Sequence, residues 1–348
     1  MNLAARVPCD TRAVGDAQQP QVAPIRVWII GRGTVGRWVD DALRQASGEL
    51  AVRYGLSFSV VGRATRSDGF VGADDRRWDD TLEAMRETEA DVLIETAATP
   101  VDGEEGAAHM REALGRRIPV VTSNKWPVAR FGTELRDLAR QEGVAFRAES
   151  TVMSGTPLLG PLTEGLAGAT PLSVRGIVNA TANSILTDMA AGATYDDALE
   201  GAKRAGLAEP DPSADVDGHD SVAKAMILSG LVFDRRLDLE AVERRGISEL
   251  TAEEKGVLAE GGCVREVTSL NFSRPGGKGD AEARVAPEVI APDDPLAAID
   301  GTMNCVVAKC DPLGEVRIAG PGAGPELAGQ GVLSDLIRVS LDIVRRRT

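Results

Sequence analysis

The chain has 348 residues, with 39 Lys and Arg against 53 Asp and Glu, for a formal net charge of −14. Hydrophobic residues make up 43% and aromatic ones only 3%, so Ala, Val, Leu and Ile must fill the core of what the length predicts as about two domains. The acidic balance argues against a nucleic-acid partner and against adhesion to anionic membranes, yet leaves room for an anionic small ligand in a locally positive pocket. The four cysteines, Cys9, Cys263, Cys305 and Cys310, form no C-x-x-C and fit a reducing cytosol, hence a cytoplasmic location. Only His109 and His219 are present, which excludes a multi-His metal site. No apolar run reaches the roughly 18 residues of a membrane span. Residues 1–24 lack an apolar signal-peptide region and read as a disordered extension; Asp10 and Asp16 weaken a transit-peptide reading.

In chain order, an apolar run at 25–30 predicts a buried strand, followed by a helix with Val35, Trp38, Val39 and Leu43 on one face. A strand at 58–64, a short helix near 80–87, a strand at 90–98, a helix at 104–116, a strand at 118–124, a helix at 132–142 and a strand at 144–150 follow. This alternation predicts a doubly wound parallel sheet over 25–150. Beyond it, a strand at 173–180, helices at 183–191, 195–205 and 219–233, and strands at 263–272, 283–290, 303–310 and 315–320 predict an α+β domain with a mixed sheet over 151–325. The segment 326–348, with a helix at 331–346, is expected to close back onto the first domain.

Three stretches carry chemistry. Gly31-Arg32-Gly33-Thr34-Val35-Gly36 lies between a strand and a helix, the context in which G-x-G-x-x-G cradles a dinucleotide pyrophosphate at a helix N-terminus rather than making an ordinary tight turn. The second strand ends in Arg63, with Arg66 close behind and no acid at its tip. This favours a ribose 2′-phosphate, hence NADP, with NAD left open. The third stretch, "GLAEPDPSADVDGHDSVAK" at 206–224, sets Glu209, Asp211, Asp215, Asp217 and Asp220 before Lys224. Its Ser213-x-Asp215-x-Asp217-Gly218 partly matches a calcium loop, but the twelfth position is Lys224 where calcium needs a bidentate Glu. Asp220 and Lys224 share a helix face, as a surface ion pair worth about 0.3–0.5 kcal/mol or, at the end of a largely apolar helix, as a cleft pair able to deliver a proton. Lys125, after the fourth strand in "TSNKWP", falls near the cofactor end of an open α/β sheet or is a solvated loop lysine.

The motifs "GRGTVG" (31–36), "TSNKWP" (122–127), "ESTVMSGTPL" (149–158), "GIVNATANSIL" (176–186), the 202–224 block, "ERRGI" (243–247), "DGTMNCV" (300–306) and "GPGAGPE" (320–326) together resemble the homoserine dehydrogenase family. The 202–224 block is the most specific of them and the glycine loop the least. The resemblance implies a Rossmann-type first domain, a catalytic and dimerisation second domain, and NAD(P)-dependent interconversion of L-homoserine and L-aspartate 4-semialdehyde in threonine and methionine biosynthesis. It implies Lys224 as proton donor with Asp220 beside it, Glu209 and Asp215 as substrate contacts, and Lys125 at the cofactor–substrate junction. Thr96, Gly206, Gly322 and Gly324 become cofactor-side positions. Glu149, with the carbonyls of Val152, Ser154 and Thr156, becomes a monovalent-cation site (Na or K). It also implies a homodimer, and a short form without the family's optional ACT domain and therefore without threonine feedback through one. Ala180, where the family often has Gly, and Leu207, where it often has Tyr, keep open a paralogue acting on a related amino alcohol or semialdehyde. Trp126 is expected to narrow the cofactor pocket. A non-catalytic NADP-binding sensor is a third reading, opposed by the presence of both Lys125 and Lys224.

Overall fold

A computed structural model describes residues 23–272 and 281–347. The extension expected over 1–24 lies, apart from Ala23 and Pro24, outside the described residues. Among them the chain forms thirteen strands and eleven helices. The first seven strands are β1 (Ile25–Ile30), β2 (Phe58–Thr65), β3 (Gly69–Gly72), β4 (Arg77–Trp78), β5 (Val92–Glu95), β6 (Val120–Thr122) and β7 (Phe146–Arg147). The rest are β8 (Thr170–Ile177), β9 (Val242–Arg244), β10 (Val264–Phe272), β11 (Ala281–Val289), β12 (Met303–Asp311) and β13 (Gly314–Pro321). The helices are α1 (Thr34–Gln45), α2 (Ser47–Tyr54), α3 (Thr81–Glu87), α4 (Glu104–Gly115), α5 (Lys125–Glu142), α6 (Ala180–Ala190), α7 (Tyr195–Arg204), α8 (Ser213–Val216), α9 (His219–Ile227), α10 (Ala252–Ala259) and α11 (Pro325–Arg347).

The first sheet runs β4-β3-β2-β1-β5-β6-β7. From β2 to β7 its pairings are parallel, and β3 and β4 extend the edge antiparallel. Successive β1 side chains point to opposite faces. Trp28 and Ile30 pack with Met85, Met110, Leu114 and Leu135 of α3, α4 and α5. Ile25, Val27 and Ile29 pack with Val39, Leu43 and Leu50 of α1 and α2 and with Val332, Leu336 and Val339 of α11. Burial on both faces is why the strand is a continuous apolar run. Because β2 lies on one side of β1 and β5 on the other, the strand order reverses there. Ligand crevices open at the carboxyl ends of such strands.

The second sheet runs β13-β12-β8-β10-β11-β9, antiparallel except for the β9–β11 pair. Val222, Met226 and Ile227 of α9 pack on it against Val174, Leu270, Val285 and Val306. The chain then leaves β13 and returns as α11 to the first sheet, where Gly329 lies against the Trp38 ring.

Several elements depart from expectation. Lys125 is the first residue of a helix that starts seven residues earlier than expected. The strand at 144–150 shortens to β7 and gives way to a 3-10 turn, Glu149–Thr151. The helix at 219–233 ends at Ile227 and continues as a π-helical turn, Leu228–Val232. The last helix starts at Pro325. Helices α2, α8 and α10, the β3–β4 hairpin and β9 have no counterpart in the sequence reading.

A Cβ on Gly36 would stand 1.9 Å from the Gly31 carbonyl oxygen, and backbone cannot move aside as a side-chain tip can. Gly36→Ala is expected to lower stability by about 1–3 kcal/mol and to weaken dinucleotide binding, read by urea denaturation and NADPH fluorescence titration. Wild-type values in both would contradict this packing.

Candidate active site

Gly31, at the end of β1, has a φ of 88°, in the left-handed region that favours glycine. A Cβ there would stand 2.2 Å from the backbone nitrogen of Ala97. Thr96 Oγ1 donates to the Gly31 carbonyl at 2.6 Å, tying the end of β5 to the loop. Gly33 caps α1 without a side-chain acceptor, and a Cβ on it would meet nothing within 4 Å. That open side faces a groove of about 910 Å³, also lined by Thr34, Val35, Thr65 and Arg66. The first-turn N–H groups of α1 and the bare Gly33 form a cradle that a larger side chain would fill. These residues therefore fit the pyrophosphate of a dinucleotide.

A second cleft, of about 510 Å³, continues from the groove; Thr34, Val35, Ser123, Lys125 and Glu209 line both. In it α9 starts after Gly218, whose φ is 79°, so Asp220 falls in the first helical turn, where the helix dipole favours a carboxylate. One helical turn on, Lys224 Nζ lies 2.7 Å from Asp220 Oδ2. Lys125, from the start of α5, pairs with the other oxygen, Oδ1. Lys224 Nζ also donates to the Val178 carbonyl at 2.6 Å, which accepts in addition from Asn304 Nδ2 at 3.0 Å. Of the three N–H groups of Lys224, two are thus engaged and one is left for the cleft. Asn179 caps α6 by accepting from the Ala182 N–H at 2.8 Å. Its Nδ2 donates to Asp215 Oδ1 at 2.8 Å and Asp220 Oδ2 at 3.2 Å.

Burial pushes the Asp220 carboxyl up, but the charges of Lys125 and Lys224 outweigh it and hold it well below the usual carboxylate range. The Asp220 charge raises Lys125 against the opposing effect of burial, so Lys125 stays an ammonium at neutral pH. Burial and the neighbouring Asp220 charge push Asp215 upward, only partly offset by Asn179. The site thus holds a fixed anion between two cations, with a second carboxyl less inclined to ionise.

The structure brings together Lys125, Glu209, Asp215, Asp220 and Lys224 around one cleft. Gly31, Gly33, Thr34, Val35 and Thr96 line the groove, while Gly36 packs behind the loop. Gly206, Gly322 and Gly324 line the second cleft, as do Val152 and Ser154. Ala180 and Leu207 do as well, and Trp126 lines the groove. Arg63 is a correction. It does not line the groove but turns away to make two hydrogen bonds with Asp40 of α1, at 2.8 and 2.9 Å, because a fully buried carboxylate needs a bidentate cation. Glu149 accepts the N–H groups of Leu158, Leu159 and Gly160 at 2.5, 2.6 and 2.8 Å. One of the roughly four acceptor positions of its carboxylate stays open. Thr156 donates through its hydroxyl to Pro321 O at 3.0 Å. Sequence reasoning missed Asn179, Asn304, Arg32 and Asp40. Only Asn179 gave a signal, as an Asn ahead of an Ala-rich helix.

A parallel sheet with a glycine cradle at its switch point, opening into a cleft of fixed acids and lysines, defines a nicotinamide-nucleotide-dependent oxidoreductase. The family model described as homoserine dehydrogenase matches residues 157–337. The NAD(+)-dependent homoserine dehydrogenase of Pseudomonas canavaninivorans is 34% identical over 303 residues, 86% of each chain. Among solved structures, a hyperthermophilic archaeal homoserine dehydrogenase in complex with NADPH superposes with a TM-score of 0.77 at 31% identity, covering 92% of this chain and 98% of its own. A homoserine dehydrogenase from Thiobacillus denitrificans gives a TM-score of 0.80 at 30% identity, covering 93% and 74%. The chain belongs to the homoserine dehydrogenase family.

The raised Asp215 carboxyl means that its ionisation costs stability in the folded protein. Asp215→Asn is expected to raise the unfolding midpoint at pH 7. The gain should vanish below about pH 3.9, the unfolded value, where the wild-type group is protonated in both states. Thermal unfolding across that range checks this; a destabilised variant at pH 7 would contradict it. Asp220→Asn has the opposite sign. Its depressed carboxyl stabilises the fold above the unfolded value and loses that contribution as pH falls toward the lower folded one. Its removal is expected to cost about 3 kcal/mol at pH 7 in urea denaturation.

Proposed function

We propose that the protein interconverts L-homoserine and L-aspartate 4-semialdehyde with NAD(P), a step in amino-acid biosynthesis. The observation that carries this reading is the Lys125–Asp220–Lys224 cluster at the junction of the groove with the second cleft. Glu209 and Asp215 supply carboxylates for the substrate ammonium, and Lys125 supplies a cation for its carboxylate end. The nicotinamide ring, when bound, supplies or takes the hydride. Lys224 offers its remaining N–H to the substrate oxygen. In the reductive direction it stabilises the negative charge developing there and delivers the proton; in the oxidative direction it takes the proton back. Asp220 keeps the Lys224 amine aimed while the Val178 carbonyl fixes its height in the cleft. Leu207 and Ala180 give the wall of the cleft an apolar stretch that suits the methylenes of a four-carbon amino acid.

Glu149, with the carbonyls of Val152, Ser154 and Thr156, is the place for a monovalent cation in the same reading. A homodimer through the second sheet also belongs to it, and light scattering at twice the monomer mass is the expected result. No described helix is long and apolar enough to cross a membrane.

Lys224→Met is expected to lower the rate of NADPH oxidation with L-aspartate 4-semialdehyde by about 10²–10⁴-fold while NADPH fluorescence titration stays within twofold of wild type. Turnover near wild type in that variant would remove Lys224 from the reaction.

A further inference from the structure

Beneath the start of α9 lies a carboxyl that lines neither the groove nor the second cleft. Glu266 stands on β10, on the face that Leu270 turns toward α9. It is only 2% exposed. Ser221 Oγ donates to its Oε1 at 2.5 Å, and Ser221, itself fully buried, directly follows Asp220 on the helix. The other oxygen, Oε2, is buried without a hydrogen-bond partner among the described residues. It would stand 3.5 Å from a Cβ on Gly218, the residue before α9. Lys224 is committed to Asp220 and to the Val178 carbonyl. A carboxylate so placed would lose the hydration of its bare oxygen and gain no paired cation, whereas an undissociated acid carries no charge to strand. Burial, joined by the charges of Asp220 and Asp215, pushes this carboxyl up to about 8, only partly offset by Ser221 and Lys224.

The charged groups that face Glu266 come from three elements. They are Asp220 and Lys224 on α9, Asp215 on α8, and on β9 the stem of Arg244, whose guanidinium turns away to the Asp217 carbonyl. Opposite it on β11 stands Pro287, which carries no charge. We propose that Glu266 is a positioning residue for the reaction, working as an undissociated acid through Ser221 to hold the first turn of α9, and with it Asp220 and Lys224, at the cleft. The inference rests on the reaction proposed above and gives that reaction an alkaline limit. Loss of the Glu266 proton sets a second anion behind Asp220. That anion holds the Lys224 proton more tightly and opposes the negative charge developing on the substrate oxygen, so both effects slow the reductive direction.

The test is the pH profile of kcat for NADPH oxidation with L-aspartate 4-semialdehyde, beside urea denaturation of the same proteins. Wild-type kcat is expected to descend above about pH 8. Glu266→Gln keeps a neutral acceptor for Ser221 but cannot ionise, so its descent should move up by at least about one pH unit. Glu266→Leu should lower kcat at pH 7 about tenfold with KM within about threefold, and Glu266→Gln should recover most of that loss. Ser221→Ala should match the Glu266→Leu loss, and the double variant should add little to it. Urea denaturation reads the acid without turnover. A raised folded value means that the wild type loses stability relative to Glu266→Gln from the unfolded value of about 4.3 up to about 8, and no further. A stability difference that does not change with pH, or a wild-type descent that Glu266→Gln leaves in place, would overturn this role alone. A wild type that oxidises no NADPH at any pH would sink the reaction and this role with it.

Discussion

One carboxylate held between two ammonium groups organises the molecule. Lys125 comes from the first residue of α5, after a strand of the first sheet, whereas Asp220 and Lys224 come from α9, which packs on the second sheet. The contact is therefore chemistry and joint at once: it places a lysine shared by groove and cleft on the residue that aims the other. Two charges about 4 Å apart attract by about 4 kcal/mol at the effective dielectric of a protein, but taking buried ions out of water costs several kcal/mol each. An apolar trio of similar size would hold the helices together as well. The cluster is better explained by what it fixes: the position and protonation of three groups around a small substrate.

The rest of the second half supports that geometry. Asn179 spends its carbonyl oxygen on the N-terminus of α6 and its amide on Asp215 and Asp220, so one rotamer couples a helix start to two acids. Asn304, from β12, holds the Val178 carbonyl that also receives Lys224. The segment after β7 crosses between halves and is pinned at several points. Glu149 holds three successive amides. Its own N–H is held by Asp335 of α11 at 2.9 Å, and Ser150 and Ser154 donate to the carbonyls of Ala328 and Gly322. Asp335 is pushed up to about 7 by burial, against the Glu149 N–H that it accepts. The return of α11 to the first sheet thus closes the cleft wall from the far side.

Much of this was legible in the sequence, for physical reasons that differ by element. Continuous apolar runs gave β1, β5 and β6 because both faces of that sheet are covered. The glycine loop was readable because Gly31 and Gly36 leave no room for a Cβ. The clustered acids before Lys224 were readable because so many carboxylates beside an apolar helix demand a counter-ion. What was hidden depends on partners distant in the chain. Arg63 looks like a ribose contact until Asp40, 23 residues earlier, is seen to hold it. The end of α9 was missed because apolar periodicity continues through the π turn, where only the hydrogen-bond register changes. Helix α10 did carry a signal: Thr251 and Glu254 form a capping box, a pattern read only locally and easily overlooked without an apolar stripe behind it.

The account holds that Lys125 and Lys224 act as one unit through Asp220, and a double-mutant cycle on kcat/KM for L-aspartate 4-semialdehyde measures that most directly. With Lys125→Met, Lys224→Met and the pair compared, the account predicts that the double variant is little worse than the poorer single one, because either loss releases Asp220 and misplaces its partner. Losses that multiply independently would show two lysines working apart and contradict it.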